Sequence, residues 1–521
     1  MPGEILLTTL RWNFVFFFLA AHRRGKVLAL TSGTAYQTRI KRTMNMQRRN
    51  FGDNIRLNPK TAYTPATEQE VVEILNRHHG QRIRCIGRLH SWSRVVECND
   101  VLLDLRHLNH VNPVADSEAR LVSVGAGCQI KHLLAELERL KNWTLPSRGL
   151  ITEQAVAGAV STGTHGSGRN SLSQYVVSVR IAHYDSGTGK ATVTEISSGD
   201  PLRAARCSLG CLGVIVSVTM QCRPSYNVEE AWHEHKQLAD VIEAEREYPL
   251  QQFFLVPWRW TYMSQSRRET ERRKSKSARL YHWYRYLTID ITMLVLIVLM
   301  VRVLRINSLV RFMFRRIIPA FVIRDWHVVG ASTPQLVMEH EMFRHIEMEL
   351  FVQKSNLESA MSYAQQTLCL AAGMASSIDE TFREQIMRAD LETELNQIKG
   401  TYCHHFPICV RKVLMDDTLI SMASASAVDT LEESQEAWYA ITFTCYCRKS
   451  EQAAFEQLGR FLTRTMAILF SARPHWGKLH YLEPDQIPRL YPQFEAFQQC
   501  RRTLDPDGYF LNDWMNELLE T

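Results

Sequence analysis

The sequence predicts an α+β protein of two domains that is interrupted by an inserted apolar helical segment. The chain has 521 residues, more than one hydrophobic core usually serves, so at least two domains are expected. Segments with strand and helix patterns are mixed without the regular strand–helix alternation of a doubly wound sheet. The third observation is a basic and apolar stretch, residues 267–325, in the second half of the chain.

The charge distribution favours a membrane surface over a nucleic acid as a partner. The net charge is +7. Nine Lys and Arg residues occur from Arg11 to Arg49, and thirteen occur from Arg267 to Arg316. Both clusters flank apolar runs and do not interleave with base-stacking aromatic residues, so no nucleic-acid groove is predicted. Basic residues beside apolar stretches instead suit an anionic lipid surface.

The twelve cysteines are dispersed along the chain, which is typical of buried thiols in a reducing compartment. Two pairs, Cys207/Cys211 and Cys445/Cys447, have spacings that metal sites use. No matching His or Cys pair completes either set. We therefore predict no metal site.

The first 45 residues form a separate segment. Residues 5–21 are apolar apart from a few polar positions, and Arg23 and Arg24 follow. This pattern resembles a signal anchor or an arginine-rich targeting segment. The alternative is an unstructured extension upstream of a start at Met44 or Met46.

A first folded domain is predicted over residues 50–224. Thr67 and Glu70 form a capping box ahead of a helix whose apolar residues recur at helical spacing. The other predicted elements are strands at 82–86, 101–105, 121–124 and 214–222, a helix at 130–140 and a short helix at 204–211.

A second α+β domain is predicted over residues 225–521, with the basic apolar insertion at 267–325. Its predicted elements are strands at 347–352, 406–410 and 438–446 and a helix at 455–469. Within the insertion, residues 286–304 approach the length of about 20 apolar residues that a membrane-spanning helix needs. A helix pair lying in the membrane interface and a buried helix of a soluble domain are the alternatives.

Two glycine-rich loops in the first domain indicate a binding site for a phosphate-bearing cofactor. The first is Ile86–Ser93, which contains His90, and the second is Thr162–Gly168. Glycine lets backbone N–H groups approach a pyrophosphate closely. A histidine in the first loop is a candidate for a covalent tether to the cofactor. A nicotinamide dinucleotide is disfavoured, because no Gly-x-Gly-x-x-Gly opens a helix with an acid about 20 residues further on.

Six separated motifs together resemble the flavin-linked aldonolactone oxidases of the vanillyl-alcohol oxidase group. Within that family the resemblance is greatest to the animal L-gulonolactone oxidase and D-arabinono-1,4-lactone oxidase type, and it spans about residues 50–512. No single motif is decisive, whereas six in this order are specific. The motifs are Gly87–Ser93, Val156–Gly168, Leu209–Ile215, Phe406–Arg411, Arg473–Lys478 and Asp505–Asn512.

The resemblance implies a two-domain α+β flavoprotein of the vanillyl-alcohol oxidase, or PCMH, type that binds FAD. The two glycine-rich loops would cradle the FAD pyrophosphate, and His90 matches the histidine that often links covalently to the flavin. The implied cofactor-binding residues are Gly87, Arg88, Leu89, His90, Ser91, Gly149, Thr162, Gly163, Thr164, His165, Gly166, Gly213, Val214 and Ile215.

The reaction implied by the resemblance is oxidation of a sugar-1,4-lactone (L-gulono-, L-galactono- or D-arabinono-) at C2. O2 would be the acceptor, and the products would be an ascorbate-like compound and H2O2. Reduced flavin carries negative charge that a fixed cation stabilises, and Arg411 and Lys478 fit that role. His475 is the third implied catalytic residue, and Cys409 and Trp476 are implied on the substrate side.

Two positions depart from the family pattern. Leu89 replaces the second glycine of Gly-x-Gly-His-Ser, and leucine at a position that needs positive φ costs about 1–2 kcal/mol. Cys409 replaces the glutamate of Phe-Pro-Val-Glu-Val-Arg, which removes a carboxylate that orients the substrate or the arginine. Gly149, in contrast, matches the oxidases, since the plant dehydrogenases of the family carry alanine there. It therefore favours O2 as the acceptor.

These departures leave two alternatives open: a flavin enzyme acting on another polyol or alcohol, and a catalytically weakened flavin-binding membrane protein. The expected partners are the sugar lactone, O2 and a membrane surface, contacted through residues 267–325 and 5–21. That membrane is expected to be the endoplasmic reticulum or the mitochondrion. The sequence indicates no protein partner and no nucleic acid.

Overall fold

The computed structural model describes residues 42–43, 48–115, 119–338, 344–425 and 437–520. The predicted anchor segment at 5–21 lies outside the described residues. The described chain forms two α+β parts, as the sequence predicts, and the cavity discussed below lies where they meet.

The N-terminal part contains two main sheets around a shared core. The four-stranded sheet has the order Arg42–Thr43, Thr61–Tyr63, Val101–Asp104 and Ile83–Ile86. The five-stranded sheet has the order Ala191–Ile196, Val176–Tyr184, Val214–Gln221, Leu121–Gly125 and Val111–Pro113. Two short ribbons pair Arg48–Arg49 with Arg56–Leu57 and Trp143–Thr144 with Arg223–Pro224. The helices of this part are Glu68–Arg77, Ile130–Lys141, Val156–Ser161 and Gly199–Ala205.

Most elements predicted for this part are confirmed to within about two residues. The capping box is present: Thr67 Oγ1 accepts a hydrogen bond from Glu70 N at 3.1 Å, and the Glu70 carboxylate accepts one from Ala66 N at 2.7 Å. The first bond satisfies an N–H group that the first helical turn leaves without a backbone partner. The second bond goes to Ala66, one residue before the N-cap Thr67, so the reciprocal half of the capping box is shifted by one residue.

The helix predicted at 204–211 is wrong, because the helix ends at Ala205 and the chain then turns. Leu209 and Gly210 have positive φ angles of 54° and 70°, which a right-handed helix does not allow. The buried Arg84 guanidinium donates to the Leu209 carbonyl at 2.8 Å and to the Gly210 carbonyl at 2.9 Å. These bonds hold the turn in place.

The C-terminal part is built on an antiparallel sheet of eight strands. Hydrophobic residues on one face, such as Met348, Val410 and Phe443, pack against helices Leu357–Ala371 and Ala453–Phe470. Side chains alternate along a strand, so the intervening residues face the N-terminal part. The strand order is Val328–Ala331, Asn227–His235, Thr261–Thr270, Gln252–Val256, Ile408–Leu414, Ala437–Cys445, Ile346–Gln353 and Arg473–Pro474.

Of the strands predicted here, 347–352 and 438–446 are confirmed. The strand predicted at 406–410 begins at Ile408, directly after Pro407, which has no N–H group to give to the sheet. The remaining helices of this part, apart from those of the insertion, are Leu238–Ala244, Ser332–Leu336, Glu380–Arg388, Glu392–Gln397, Gln486–Leu490, Phe494–Leu504 and Asp513–Leu519.

The C-terminal tail returns to the N-terminal part and completes it. Ile83 N donates to the Tyr509 carbonyl at 2.8 Å. The Asn512 side-chain amide donates to the carbonyls of Arg94 at 2.9 Å and Glu97 at 3.1 Å. Residues from the two ends of the chain therefore share one hydrophobic core.

The insertion contains one long helix, Ala278–Leu304, which we call the insertion helix. Shorter helical segments follow at Asn307–Phe312, Met313–Ile317 and Ile318–Phe321. Among the described residues, the insertion helix is the one helix long and apolar enough to cross a membrane, yet only 28% of its most apolar stretch is buried. Tyr281 near its start and Met300 near its end both pack against the sheet. One face of the helix therefore rests on the protein while the other is exposed.

A buried ion pair fastens the insertion helix to the sheet. The Glu230 carboxylate lies 2.7 Å from Arg267 Nε and 3.7 Å from Arg285 Nη1, and it accepts a hydrogen bond from the Tyr281 hydroxyl. Arg285 also donates to the Gln335 carbonyl at 3.1 Å. All of these groups are buried, so loss of one partner leaves an uncompensated charge.

We expect Glu230→Gln to lower the free energy of unfolding by about 3 kcal/mol, because Arg267 would remain buried without its counter-charge. Denaturant unfolding of the detergent-solubilised protein measures this change. The control is Glu243→Gln, which removes an exposed pair with Arg246 and should cost less than about 1 kcal/mol. Equal effects of the two substitutions would contradict the role given to Glu230.

Candidate active site

One cavity brings together most of the residues that the sequence analysis singles out. It lies between the two glycine-rich loops and the sheet face that is not covered by helices. The two loops are about seventy residues apart in sequence, and the fold makes them walls of the same space. The lining residues named above are Gly87, Arg88, Leu89, His90, Ser91, Gly149, Thr162, Thr164, His165, Gly213, Ile215, Cys409, Arg411, His475 and Lys478.

The other residues named above do not line this cavity. Trp476 is 1% exposed, its Nε1 donates to the Ile420 carbonyl at 2.7 Å, and its ring stacks on Tyr491. It therefore lies in the core beside the site. The four residues in question are Gly163, Gly166, Val214 and Trp476.

Two glycines, Gly87 and Gly158, shape the wall of the cavity on the cofactor side because neither carries a side chain. A Cβ at Gly87 would lie 2.4 Å from the Ala155 Cβ, so any side chain there would displace this wall. A Cβ at Gly158 would meet nothing within 4 Å, and Gly158 lines the cavity. The bare backbone at Gly158 leaves the close approach that a pyrophosphate needs. These residues therefore fit FAD, and Gly158 is a member of the site that the sequence analysis did not single out.

Leu89 adopts the left-handed conformation that the family's glycine pattern implies, with φ of 57°. This conformation costs a leucine about 1–2 kcal/mol. The side chain packs, partly buried, on a small hydrophobic cluster that includes Ile86 and Leu102. Full burial of a leucine contributes about 1.5–3 kcal/mol, so the partial burial of Leu89 offsets part of the strain. The loop also stays anchored, because the Leu89 carbonyl accepts from Phe51 N at 2.8 Å.

His90 lines the cavity as a neutral imidazole. Burial lowers the pKa of His90 to about 4, so the ring is uncharged near neutral pH. It stacks on Phe51 with ring centroids 5.2 Å apart. A neutral imidazole has a nitrogen lone pair, which a covalent tether to a cofactor requires.

Three side chains from adjacent strands form a row on the floor of the cavity. Cys409 and Glu349 both pair with Thr442 in the register of the sheet, and Thr442 Oγ1 donates to Glu349 Oε1 at 2.8 Å. Glu349 therefore places a carboxylate in the same row, two strands away from Cys409. Sequence reasoning missed Glu347 and Glu349, although acids at alternate positions of an otherwise apolar strand were a usable signal.

Lys478 compensates two buried carboxylates at this end of the cavity. Its Nζ lies 2.7 Å from Glu347 Oε2 and 2.9 Å from Glu349 Oε2. Burial on its own would raise the pKa of both glutamates, but Lys478 holds the two pKa values well below the usual range. Burial would likewise lower the pKa of Lys478, and the two carboxylates raise it instead. All three groups are therefore charged near neutral pH.

Arg411 and two histidines complete the polar end. Burial opposes the charge of Arg411, but Cys409 and Glu349 together raise its pKa, and its Nε donates to Gln252 Oε1 at 3.2 Å. Burial lowers the pKa of His475 to about 3. The Nδ1 atom of His475 accepts from Gly477 N at 3.0 Å, so this neutral ring carries its proton on Nε2.

His165 has the opposite tautomer. Its Nδ1 lies 2.9 Å from the Gly166 carbonyl, an acceptor, so Nδ1 carries the proton. Its Nε2 atom lies 3.4 Å from Glu349 Oε1. A proton taken up at Nε2 would therefore be stabilised by the Glu349 charge.

The far end of the cavity is mostly apolar. Its polar lining residues include Gln265 and Arg285, and both bond within the protein: Gln265 Nε2 donates to Glu230 Oε1 at 2.9 Å, and Arg285 donates to the Gln335 carbonyl at 3.1 Å. By strand spacing, Phe254 lies about 14 Å across the sheet from Glu349. Its neighbours on the sheet and the insertion present alkyl, aromatic and thioether groups. These lining residues are Trp232, Phe254, Val256, Met263, Ile289, Met293, Leu294, Ile318, Pro319 and Val322.

The structure also places His405 beside the Cys445/Cys447 pair, with the three ligand atoms within 4.8 Å of one another. The sequence spacing did not show this histidine. The His405 ring already uses both nitrogens, because Nδ1 lies 3.1 Å from the Cys403 carbonyl and Nε2 accepts from Tyr446 N at 2.9 Å. Hydrogen bonding therefore explains the position of His405.

A cofactor cradle facing a sheet with fixed cations defines an FAD-dependent oxidoreductase of the vanillyl-alcohol oxidase type. Residues 59–191 match the family model described as FAD binding domain. Residues 218–518 match the model described as D-arabinono-1,4-lactone oxidase. The chain belongs to the D-arabinono-1,4-lactone oxidase family and binds FAD, which confirms the resemblance, the fold class and the cofactor expected from the sequence.

Individual relatives differ in their named substrates. The chain is 51% identical over 474 residues to a long-chain alcohol oxidase from an uncultured marine euryarchaeote, covering 91% of this chain and 97% of that protein. It is 26% identical to an L-gulono-1,4-lactone dehydrogenase from Mycobacterium tuberculosis, covering 88% and 96%. A solved structure of cholesterol oxidase from B. sterolicum shares the fold, with a TM-score of 0.69 at 16% identity, covering 95% and 100%.

We expect Lys478→Met to destabilise the protein more at about pH 8 than at about pH 5. In the wild type, the low folded-state pKa values of Glu347 and Glu349 contribute stability above the unfolded value of about 4.3, and this is lost only as pH falls below it. Without the ammonium group, burial would raise both values, so stability would fall as pH rises. The loss should reach about 3 kcal/mol at the higher pH.

Thermal unfolding of the FAD-loaded protein at the two pH values measures this effect. Lys60→Met is the matched control, since Lys60 forms an exposed pair with Asp100. It should change stability by less than about 1 kcal/mol at either pH. A pH-independent loss in Lys478→Met would contradict the charge compensation described here.

Proposed function

We propose that this protein catalyses the FAD-dependent oxidation of a long-chain aliphatic alcohol to the aldehyde, with O2 reduced to H2O2. The observation that carries the proposal is the apolar end of the cavity, which begins beside Cys409. The relative at 51% identity, named a long-chain alcohol oxidase, supports it.

The walls of the cavity suit a long-chain alcohol better than a sugar lactone. A sugar lactone carries hydroxyl groups around its ring, and each hydroxyl buried without a hydrogen bond costs about 1–3 kcal/mol. Phe254, Met263 and Met293 offer no donor or strong acceptor. An alkyl chain against the same side chains gains about 0.8 kcal/mol per buried CH2. The apolar end therefore favours a chain over a polyhydroxylated ring.

FAD, when bound, supplies the two-electron acceptor for the hydride that leaves the carbinol carbon. His165 Nε2 is positioned to take the hydroxyl proton, and Glu349 stabilises the imidazolium that results. The Nε2–H of His475 donates to the substrate oxygen. Arg411 and Lys478 place positive charge where negative charge accumulates. The reaction balances as R–CH2OH + O2 giving R–CHO + H2O2.

Oxidation of a sugar-1,4-lactone at C2, with an ascorbate-like product, is the second candidate. It is favoured by membership of the D-arabinono-1,4-lactone oxidase family and by the dense polar groups around Lys478. Cys409 weighs against it, because the lactone oxidase pattern has a carboxylate there.

We expect a long-chain primary alcohol to bleach the flavin absorbance of the purified protein anaerobically, and L-gulono-1,4-lactone to leave it unchanged. Cys409→Glu should lower kcat/KM for the alcohol about tenfold or more, because it places a charge beside the apolar chain. Stopped-flow absorbance measures both. Acid precipitation of the same sample would leave a yellow pellet if His90, our proposed tether, is bonded to the flavin.

Cys409→Ser is the control, since it keeps the size of the side chain and adds no charge. It should retain most of the activity toward the alcohol. Bleaching by the lactone and not by the alcohol would refute the alcohol proposal in favour of the second candidate. A protein that is yellow and bleached by neither would support a catalytically weakened flavin-binding protein.

O2 is proposed as the acceptor because Gly149, which lines the cavity, matches the glycine of the family's oxidases. A Cβ at this position would lie 2.8 Å from the Thr164 Cγ2, so alanine would narrow the cavity wall. We expect Gly149→Ala to slow reoxidation of the reduced protein by O2. Reoxidation by an artificial dye that accepts electrons at the flavin edge should be unchanged. Equal rates with O2 in the two proteins would argue against this path.

A further inference from the structure

We propose that the outward face of the insertion docks on one leaflet of a lipid bilayer, and that the substrate enters the cavity from that leaflet. Entry would occur between the insertion helix and the segment Asn307–Phe321. The docking step stands on the surface described below, whereas the entry step rests on the proposed function.

The outward face of the insertion helix carries an apolar stripe. Its exposed large side chains recur at intervals of three, four or eight residues, so they lie on one side of the helix. Arg285 and Asp290 are buried, and no other charged residue lies between Leu280 and Val301. The stripe is formed by Leu280, Trp283, Leu287, Val295, Leu299 and Val303.

Exposed apolar side chains are concentrated in this segment. Of the seventeen exposed large hydrophobic residues in the described part of the chain, twelve lie between Leu280 and Ile323. Phe312 and Ile317 extend the stripe onto the shorter segments, with 53% and 36% of their surface exposed. A contiguous patch of this kind on a soluble surface marks an interaction site.

The rim of the patch is mostly basic. Acids near it include Glu271 and Glu451, and Glu451 Oε1 lies 3.0 Å from Arg305 Nη2. Exposed cations precede the insertion helix and follow it, whereas the stripe between them has none. Trp283 and Tyr286 lie at the same border, where aromatic rings suit the headgroup region. This arrangement matches an anionic lipid surface with an apolar interior. The exposed rim residues include Arg273, Lys274, Lys276, Arg279, Arg305 and Arg316.

The body of the protein limits how deeply the insertion can enter. The insertion helix contacts the sheet from Tyr281 to Met300, and Arg302 near its end donates to the Tyr446 carbonyl at 2.6 Å. A helix held along its length cannot cross a bilayer alone. It lies in the plane of one leaflet, as the interfacial interpretation of the sequence predicts.

The same helix is also a wall of the cavity. Ile289 and Leu294 line the cavity, whereas Leu287 and Val295 are exposed on the other side. The apolar end of the cavity and the proposed bilayer are therefore separated by one layer of helix. Pro319, in the last of the shorter segments, and Val322, the residue after it, also line the cavity. A long-chain alcohol partitions into lipid. It would meet apolar side chains on both the lipid-facing and the cavity-facing sides of the insertion helix.

Flotation of the detergent-depleted holoenzyme tests the docking step, with phosphatidylcholine vesicles that contain or lack phosphatidylglycerol. We expect flotation, greater with the anionic lipid. The double variant Val295→Asp/Leu299→Asp should reduce the floated fraction about tenfold or more, because both charges would enter apolar lipid. The control Leu140→Asp/Ile468→Asp alters exposed hydrophobic residues outside the insertion and should float like the wild type.

Activity in the same samples tests the entry step. The stripe variant should oxidise a long-chain alcohol held in vesicles more slowly, in parallel with its lost flotation, while its rate on a short water-soluble alcohol stays unchanged.

Undiminished flotation of the stripe variant would overturn docking. Docking would also be overturned if the wild type did not float and formed a dimer that the stripe variant dissociates. The patch would then be the contact between two copies of the chain. Lost flotation with an unchanged vesicle rate would overturn entry from the leaflet. Normal flotation without oxidation of any alcohol would refute the proposed function and leave docking intact.

Discussion

The charge of Lys478, placed between Glu347 and Glu349, is the constraint on which the site depends. Glu349 is buried, and the side chains of Lys478 and Glu347 are only 12% and 15% exposed, so any one of the charges would be costly without the others. Their pairing fixes the loop that carries His475 and Lys478 against the sheet. The Gly477 carbonyl in that loop accepts from Trp92 N at 2.8 Å and from Ser91 Oγ at 3.1 Å. The ion cluster of one part therefore positions the first glycine-rich loop of the other.

The floor of the cavity changes from polar to apolar from one strand to the next across the sheet. Glu349, Thr442 and Cys409 occupy successive strands, and Phe254 follows on the next. Position 409 is thus the border between the polar and apolar ends. A carboxylate there would extend the polar surface by one strand, toward a ligand with hydroxyl groups. Cysteine extends the apolar surface instead.

The sequence predicted what depends on local pattern and on resemblance, and it missed what depends on register. The capping box, the two glycine-rich loops and the positive φ of Leu89 follow from short motifs, and each appears in the structure. Glu349 was missed because its proximity to Cys409 arises only when strands 437–445 and 346–353 pair. Trp476 was expected on the substrate side from the family resemblance, but its indole packs in the core. The two faces of the insertion helix could not be distinguished, because both are apolar and only packing decides which is covered.

The hydrogen bonds between the C-terminal tail and the first domain have a consequence for biosynthesis. Asn512 caps the carbonyls of Arg94 and Glu97, so the cofactor domain lacks part of its framework until the end of the chain has been made. A ribosome adding about 5–20 residues per second needs roughly 20–80 seconds to cover that interval. During this time the apolar insertion has already emerged while the cofactor domain is still incomplete. Early contact of the insertion with a lipid surface or a chaperone would then protect the nascent chain.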